Sequence, residues 1–357
     1  MFVGKFTDFY RDVTKNGTKI SQEEYKEIGS YPIIDQGKKL IAGRWDNREG
    51  VFDDVPAIIF GDHTRAIKYI EEPFFIGADG VKILRPTNAQ DSTKYLYYAL
   101  QAARIPNLGY SRHFKALKEL EIRVYSREEQ DEIVRVLDKI DHLIEQRYKE
   151  ISCLNQLVKS RFIELFGDPK YNKSNLVKIG EIGSLTSGGT PSRAKPEYFE
   201  GDIRWYSAGE LNSLYLPDSV EHISKTALQE SSAKLFNKGT LMIGMYDTAA
   251  FKLGILTENS SSNQACANLN PQNDYNVVWL YYLFDIMKPI FLQKRQGVRQ
   301  KNLSLSKIKE FEVPNAPIGI QNYFAAFVTQ VDKSKYCSQK FEELCRELIK
   351  IYEQEWI

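Results

Sequence analysis

The sequence repeats itself at a spacing close to half of its length. Three glycine pairs are each 172 residues apart: Gly17 and Gly189, Gly29 and Gly201, Gly37 and Gly209. The spacing then grows in steps, to 184 where YLYY (95–98) returns as WLYY (279–282), and to 191 where LKELEI (117–122) returns as IKEFEV (308–313). Because surface loops accept added residues cheaply, stepwise growth indicates two related units, the second with a few insertions. A period this long predicts two large domains rather than a solenoid of short repeats.

Length and composition agree with two soluble globular domains. The chain has 357 residues, of which 42% are hydrophobic and 27% charged. No apolar run approaches the roughly 20 residues of a membrane span, and residues 1–18 lack the pattern of a secretion signal. We therefore expect a cytoplasmic protein that contacts no membrane. The cysteines form no CxxC pair, which predicts reduced and mostly buried thiols: Cys153, Cys266, Cys337 and Cys345.

Each half of the sequence ends in a long helical pattern. Between residues 127 and 166 apolar residues recur at steps of three and four, which is typical of an amphipathic helix. Ser126 with the acidic residues that follow it predicts the helix start, and Gly167 with Pro169 predicts its end. Such a helix is about 60 Å long. Residues 321–356 repeat the rhythm, so we expect the two helices to pair as a coiled coil.

Antiparallel pairing would give a molecule with internal pseudo-two-fold symmetry. The helices would separate two heads, each with short β-rich runs between glycines and prolines, so the predicted fold class is α+β. The predicted segments are a first head at 1–125, a central helix at 126–167, a second head at 168–316 and a distal helix at 317–357. The simpler alternative is that each helix packs only on its own head. Two heads at a fixed separation fit a target with two parts, such as duplex DNA with two half-sites.

A basic cluster follows the predicted helix of each head, which spans 93–103 in the first and 275–287 in the second. Such a cluster is usually a solvated surface, but its recurrence in both copies favours phosphate contacts to DNA. The clusters are Arg104, Arg112, His113, Lys115 and Lys118 in the first half, and Lys288, Lys294, Arg295, Arg299, Lys301, Lys307 and Lys309 in the second.

Several short motifs occur in a fixed order. They are LVKIGEIG at 176–183, SGGTPS at 187–192, GDIRWYSAGEL at 201–211, and the segments 124–130 and 313–321 that lead into the long helices with a glutamine, Gln130 and Gln321. In this order, and with their echoes in the first half, they resemble the DNA-specificity subunit of type I restriction-modification systems. The resemblance covers essentially the whole chain.

The resemblance implies that each head is a target-recognition domain for one part of a split, asymmetric double-stranded DNA site. It also implies that the helices act as a spacer and as the dock for two methyltransferase subunits. S-adenosylmethionine would be used by those subunits, and ATP and Mg by translocase-nuclease subunits, with no cofactor in this chain. The expected docking face is the acidic start of the central helix: Glu128, Glu129, Asp131 and Glu132.

We expect basic loops to hold phosphates and polar loop tips to contact base edges. The candidates in the first head are Arg104, Tyr110, Arg112, His113 and Lys115. Those in the second are Lys294, Arg295, Arg299, Gln300 and Lys301. Secondary candidates, chosen because glycine permits close approach of a ligand to the backbone, are Gly188, Gly189, Thr190, Ser192 and Arg193.

Catalytic and metal sites have little support in the sequence. Residues 183–190 approach a phosphate-binding P-loop, but Gly189 stands where the loop needs lysine. Residues 270–273 (NPQN) only partly match the NPP-aromatic segment of adenine methyltransferases. The histidines lack metal-ligand spacing: His63, His113, His142 and His222. We therefore expect a non-catalytic subunit without a metal.

Two other interpretations remain open at this point. One is a two-headed scaffold that binds protein or glycan and never contacts DNA. The other is the specificity subunit of a related system in which one companion both methylates and cuts. The recognised bases do not follow from the loop sequences, because the pairing of side chains with bases depends on docking geometry.

Adding or deleting whole helical turns in 127–166 and 321–356 is expected to change the gap between the half-sites and to leave both half-sites intact. Mapping of methylated adenines in the host genome would measure both quantities. An altered half-site sequence in such a variant would contradict the assignment of spacing to the helices.

Overall fold

The computed structural model describes residues 1–77, 79–109, 111–295 and 302–356. They divide into two compact units. The first contains Met1–Lys149 and Gln339–Ile357, and the second contains Glu150–Ser338. Each unit therefore holds one head together with parts of both long helices. No helix in the described part of the chain is both long and apolar enough to cross a membrane.

The first half of the chain contains short strands, one ten-residue helix and the first long helix. In chain order its elements are β1 (Phe2–Lys5), α1 (Phe6–Phe9), β2 (Tyr10–Asp12), β3 (Tyr31–Ile34), β4 (Gly43–Trp45), β5 (Ala57–Gly61), β6 (Ile67–Ile70), β7 (Phe75–Ile76), β8 (Val81–Pro86), α2 (Thr93–Ala102), α3 (Phe114–Leu117), β9 (Glu121–Val124) and α4 (Arg127–Phe166).

The second half of the chain repeats this order. Its elements are β10 (Leu176–Lys178), α5 (Ile179–Ile182), β11 (Gly183–Ser187), β12 (Ile203–Tyr206), β13 (Glu221–Ile223), α6 (Lys225–Glu230), β14 (Leu241–Gly244), β15 (Leu253–Ile255), β16 (Ser261–Ser262), β17 (Cys266–Pro271), α7 (Val277–Gln293), α8 (Leu305–Lys309), β18 (Glu312–Pro314) and α9 (Ile318–Trp356).

The sheets have the same strand order in both units. The four-stranded sheet is β2-β8-β5-β6 in the first and β11-β17-β14-β15 in the second. The three-stranded sheets, β4-β3-β7 and β13-β12-β16, and the pairs β1-β9 and β10-β18 correspond in the same way. The predicted duplication and the α+β class are thus confirmed. Among the residues described for the first unit, α6 has no counterpart, which accounts for part of the growth in repeat spacing.

Buried central strands form the core of each head. Every residue of β5 (AIIFG) and of β14 (LMIG) is buried, as expected for a strand covered on both faces. Helices α2 and α7 pack on these sheets and begin at N-caps. The Ser92 hydroxyl accepts from the Tyr95 amide, and the Asn276 side chain accepts from the Val278 amide.

The two long helices lie side by side within each unit. In the second unit the end of α4 meets the start of α9, where the rings of Phe162 and Phe324 are 5.3 Å apart. In the first unit the Tyr148 hydroxyl donates to Glu342 Oε1 at 2.6 Å, while Tyr352, farther along α9, packs on the core around Ile133, near the start of α4. Later residues of α9 therefore meet earlier residues of α4, which is the predicted antiparallel pairing.

The thiols differ in exposure from the expectation of mostly buried cysteines. Cys266 and Cys345 are buried, but Cys153 and Cys337 are exposed on α4 and α9, and all four are free. Burial raises the pKa of the Cys266 thiol to about 12. This thiol therefore stays protonated and unreactive near neutral pH.

A buried glutamine joins each long helix to its head. Gln130 is 1% exposed, and its Oε1 accepts from the amide of Ser92, the N-cap of α2, at 2.7 Å. Its Nε2 donates to Asp91 Oδ1 at 2.9 Å and to the Tyr125 carbonyl at 3.0 Å. One side chain thus links the start of α4 to the start of α2 and to the end of β9.

Gln321 makes the equivalent contacts in the second unit. It is fully buried, and its Oε1 accepts from the amide of Asn276, the N-cap of α7, at 2.8 Å. Its Nε2 donates to the Ala316 carbonyl at 2.6 Å and to the Asp274 carbonyl at 3.4 Å. We call each set of contacts a glutamine clamp, centred on Gln130 in one unit and on Gln321 in the other.

Substitution Gln130→Met is expected to lower the free energy of unfolding by about 1–3 kcal/mol, because it leaves the Ser92 amide and the Tyr125 carbonyl buried without partners. Urea unfolding would measure this loss, and hydrogen exchange at the Ser92 amide would localise it. The matched control is Gln146→Met on the exposed face of α4, which should change stability by no more than about 0.5 kcal/mol. Equal effects of the two substitutions would contradict the clamp.

Candidate nucleic-acid interface

Three loops of the first head are held together at one end of its sheets. They are residues 35–42 between β3 and β4, residues 62–66 between β5 and β6, and residues 103–113 between α2 and α3. We call them the first loop surface. The equivalent loops of the second head are residues 207–220, 245–252 and 294–304, of which the last is described up to 295 and from 302. They form the second loop surface.

A lysine of the central hairpin holds the first loop of each surface. Lys68 Nζ donates to the Asp35 carbonyl at 2.7 Å and lies 3.3 Å from Asp35 Oδ1. The lysine is 5% exposed, and burial lowers its pKa against the opposing effect of the Asp35 carboxylate. In the second head Lys252 Nζ donates to the Gly209 carbonyl at 3.3 Å. Lys68 and Lys252 are 184 residues apart, which is the repeat spacing of this region.

The basic loop of the first head is anchored on the buried residue Asp62. The amide of His113 donates to the Asp62 carbonyl at 2.9 Å, and its Nδ1–H donates to the same oxygen at 2.8 Å. His113 Nε2 accepts from the Leu108 amide at 3.1 Å. Asp62 Oδ1 accepts from the Phe114 amide at 2.7 Å. The loop between α2 and α3 is therefore fixed at its end to the residue that follows β5.

The second head uses the equivalent backbone anchor. The amide of Leu303 donates to the carbonyl of Met245, the residue after β14, at 2.8 Å. Asn302 Oδ1 accepts from the Asp247 amide at 3.0 Å. Both heads therefore place the end of the third loop beside the turn of the central hairpin.

The structure places the predicted contact residues of the first head in different environments. Arg112 is exposed, with Nε 4.0 Å from Asp62 Oδ2, and Lys115 is exposed on α3. Arg104 is exposed too, but it borders a groove beside Lys350 and Glu353 of α9. His113 is 1% exposed and both its ring nitrogens bond within the protein, so it supports the loop and presents nothing to a ligand. Tyr110 lies outside the described residues.

The predicted residues of the second basic loop are described only in part. Lys294 is exposed at the end of α7, with Nζ 5.3 Å from the centroid of the Phe311 ring. Arg295 is half-buried; its Nε donates to the Leu292 carbonyl at 3.0 Å and its Nη1 to the Asp247 carbonyl at 3.5 Å. Arg295 therefore connects the loop to the hairpin turn. The other predicted contacts of this loop lie outside the described residues: Arg299, Gln300 and Lys301.

The glycine pair of the second head packs against its own protein. A Cβ on Gly188 would lie 2.2 Å from the Ser262 carbonyl oxygen, and one on Gly189 would lie 2.1 Å from that of Ser232. The Gly189 amide donates to Ser262 at 2.9 Å, and its carbonyl accepts from Trp205 Nε1 at 3.0 Å. The sequence predicts close approach of DNA at this pair, but the approach that requires glycine here is to the neighbouring backbone.

The residues after this pair are partly engaged within the head. Thr190 Oγ1 donates to Gln264, and Ser192 is exposed. Arg193 makes a two-pronged ion pair with Glu221, and its guanidinium carbon lies 4.1 Å from the centroid of the Phe199 ring. The Glu221 hydrogen bond raises the pKa of Arg193. Arg193 thus links the segment after the glycine pair to Glu221 of β13, and its charge already has a partner.

The loop surfaces also expose side chains for which the sequence analysis makes no prediction. The hairpin turns carry polar and aromatic groups next to the anchored loops. The signal that marks them is Gly61 and Gly244, 183 residues apart, each at the end of a central strand. The exposed residues are Lys38, Lys39, His63 and Thr64 in the first head, and Tyr246, Asp247 and Thr248 in the second.

The P-loop alternative does not agree with the backbone. Residues Gly183–Ser187 form β11, the outer strand of the four-stranded sheet, and pair with β17. This segment is therefore a strand and not a phosphate-binding loop. Asn270 and Pro271 lie in the partner strand β17. In the described ranges, no three histidine, cysteine, aspartate or glutamate side chains converge as metal ligands would.

A model of the type I restriction modification DNA specificity domain matches residues 7–152 and again residues 171–344. The chain belongs to this family. The two matches fall on the two heads, each with part of a long helix. The chain is a specificity subunit of a type I restriction-modification system, the subunit that recognises the DNA sequence.

Individual members of the family are distant in sequence. The chain is 24% identical over 337 residues to the specificity subunit of the type I restriction enzyme EcoR124I/EcoR124II of Escherichia coli, covering 88% of this chain and 82% of that protein. It is 28% identical over 182 residues to the MjaIX specificity subunit of Methanocaldococcus jannaschii, covering 48% and 42%.

Solved structures share the fold. The S subunit of a type I system from M. genitalium superposes with a TM-score of 0.60 at 18% identity, covering 99% of this chain and 94% of that one. A chain from a study of complex assembly and conformational transition in the type I system gives a TM-score of 0.57 at 13% identity, covering 99% and 96%. At these identities the likeness concerns the fold alone.

Substitution His113→Ala is expected to release the basic loop, because it removes the ring contacts to Asp62 and Leu108. A loss of about 1–3 kcal/mol in local stability should make tryptic cleavage after Arg104 and Arg112 roughly tenfold faster. The matched control is His63→Ala, which removes an exposed ring from the adjacent turn. If both variants are cleaved at the rate of the unaltered protein, His113 does not anchor the loop.

Proposed function

We propose that the two loop surfaces bind the two halves of one asymmetric DNA site, each head contacting one half-site. The observation that carries this proposal is that the same three-loop arrangement occurs twice, with equivalent anchors but different exposed side chains. Equivalent anchors present the loops in the same way in both heads. Different side chains allow the two heads to prefer different bases.

The exposed cations of the first loop surface would contact phosphates. Lys38 and Lys39 are exposed in the loop between β3 and β4, and Arg112 is exposed in the basic loop. Among the described residues, none of these lysines has a carboxylate within ion-pair distance, and Arg112 has only the 4.0 Å approach to Asp62. Phosphate contacts would fix the register of the head on the duplex. Lys115 and Lys294, together with Arg299 and Lys301, remain candidates for the same role.

Base contacts would come from the hairpin turns. His63 in the first head, and Tyr246 and Thr248 in the second, are exposed next to the anchored basic loops. Thr64 is exposed too, but its hydroxyl donates to the Gln36 carbonyl and presents only its methyl group. Hydroxyl and imidazole groups donate to and accept from base edges, and aromatic or methyl groups pack on the thymine methyl. Tyr246 is the second residue after β14, and His63 is the second residue after β5. Because these two side chains differ, the half-sites should differ.

The remaining activities of the system would reside in partner subunits. Two methyltransferase subunits would use S-adenosylmethionine, and translocase-nuclease subunits would use ATP and Mg, so this chain would act without catalysis of its own, in the cytoplasm. The acidic start of α4 supports a docking role, since Glu128, Glu129, Asp131 and Glu132 are all exposed. Asp131 is paired with Arg127, and Glu132 with Arg135, on the same helix.

The combined substitution of Lys38, Lys39 and Arg112 by alanine is expected to weaken DNA binding and to reduce its salt dependence. Each lost phosphate contact should lower the slope of log affinity against log salt concentration by about 0.9. Three contacts would lower it by roughly 2–3 in total. Titration of cognate duplex at several salt concentrations, with partner subunits present, would measure the slope.

The control removes the same charge from the long helices. Lys139, Lys149 and Lys333 are exposed on α4 and α9, and their combined substitution by alanine should leave the slope unchanged. An unchanged slope for the loop variant, or equal losses in the two variants, would place the phosphate contacts elsewhere.

A further inference from the structure

The described part of the second loop surface contains three acidic side chains, and two of them are engaged within the head. Glu210 accepts from the amide and from the hydroxyl of Ser207 at 2.7 Å each. Asp218 Oδ1 lies 2.8 Å from Arg204 Nε. Asp247 is exposed in the hairpin turn, and among the described residues its carboxylate has neither a hydrogen bond nor an ion pair. This carboxylate is therefore available to a ligand of the surface.

The backbone of Asp247 is held from both ends of the third loop. Asn302, near the end of that loop, accepts from the Asp247 amide at 3.0 Å. Arg295, at its start, donates through Nη1 to the Asp247 carbonyl at 3.5 Å. The φ angle of Asp247 is 46°, in the left-handed region that aspartate and asparagine adopt more readily than most residues. The turn and the loop together thus fix the point from which this side chain projects.

The first head has a different group at the same place. Thr64 is the third residue after β5, and Asp247 is the third residue after β14. The Thr64 hydroxyl donates to the carbonyl of Gln36, in another loop of its own head. The polar group at this place therefore supports the loops in the first head, whereas the second head presents an exposed carboxylate.

A carboxylate on a DNA-binding surface repels phosphates, so it lowers affinity unless it accepts a hydrogen bond from the bound DNA. In the major groove the exposed edges of guanine and thymine present hydrogen-bond acceptors, while cytosine N4 and adenine N6 present donors. Adenine places its acceptor N7 beside the amino group, and a carboxylate has no donor for that atom. Cytosine is therefore the base that fits a carboxylate best.

We propose that Asp247 accepts a hydrogen bond from the N4 amino group of one cytosine in the half-site of the second head and thereby determines that base. This inference rests on the proposed binding of DNA by the second loop surface. It adds the identity of one recognised base and the residue that recognises it.

The experiment uses the complex of the full chain with its partner subunits. Competition binding would measure the relative affinity of duplexes that carry each of the four base pairs at every position of the second half-site. We expect the unaltered complex to prefer cytosine over thymine roughly tenfold at one position. Asp247→Asn should shift the preference at that position to adenine, because an amide accepts from N6 and donates to N7. Asparagine also tolerates the left-handed φ, so the turn is retained.

A second variant removes the acceptor and keeps the backbone. Asp247→Gly permits the same φ, and it should reduce the preference at that position to about one while the other positions stay unchanged. The matched control is Asp202→Asn. Asp202 is exposed just before β12, outside the second loop surface, so this variant loses the same charge and should keep every base preference.

Unchanged base preferences in both Asp247 variants would overturn the inference, whether or not affinity rises equally for all duplexes, since Asp247 would then act at most through its charge. Failure of the proposed function gives a different result. In that case Tyr246→Ala and Thr248→Ala, like the Asp247 variants, leave every preference in the half-site unchanged. If Tyr246→Ala alters a preference and neither Asp247 variant does, the surface reads DNA and only the role of Asp247 is wrong.

Discussion

The structure of each unit depends on one buried amide side chain at the start of a long helix. Gln130 and Gln321 each accept from an N-cap amide and donate to two further oxygens of their own head. A side-chain amide has two N–H donors on one atom and a carbonyl acceptor on another, and only asparagine and glutamine offer this combination. Each clamp therefore joins the start of a long helix, the start of the shorter helix of the head and the end of a strand at one point. The long helix cannot rotate about its axis without breaking buried hydrogen bonds. The loop surfaces are therefore held in a fixed orientation relative to the long helix of their own unit.

Within this frame the two heads separate structural from exposed charges. Lys68 and Lys252 donate to the carbonyls of a neighbouring loop, and Arg193 forms an ion pair with Glu221. Lys38, Lys39 and Arg112 remain exposed in the loops that these contacts position. A charge that already has a buried or two-pronged partner gains little from a phosphate, because the partner must be given up first. Pairing within the head thus distinguishes the cations that hold the surface from those that can act on it.

Periodicity in the sequence was sufficient to predict the architecture, but it was insufficient to predict which residues contact DNA. The repeat spacing and the helical stripe predict the duplicated topology and α4 and α9, because burial imposes a local period on the chain. The roles of His113, Gly188 and Gly189 depend on Asp62, Ser262 and Ser232, which are distant in sequence and come close only in the folded head. Residue type alone therefore predicts that these residues contact DNA, whereas their tertiary contacts show that they support the fold of the head.

The first compact unit is completed by a segment that the ribosome makes after the entire second unit. Ile349 and Tyr352 pack on the core of the first head, and Trp356 packs on Tyr125. During synthesis the apolar stripe of α4 around Ile133 and Leu137 must wait for these residues while its own head is already complete in sequence. Until α9 has been synthesised, the part of the α4 stripe that these residues cover stays open to solvent. The last turns of α9 thus belong to the stability of the head that is synthesised first.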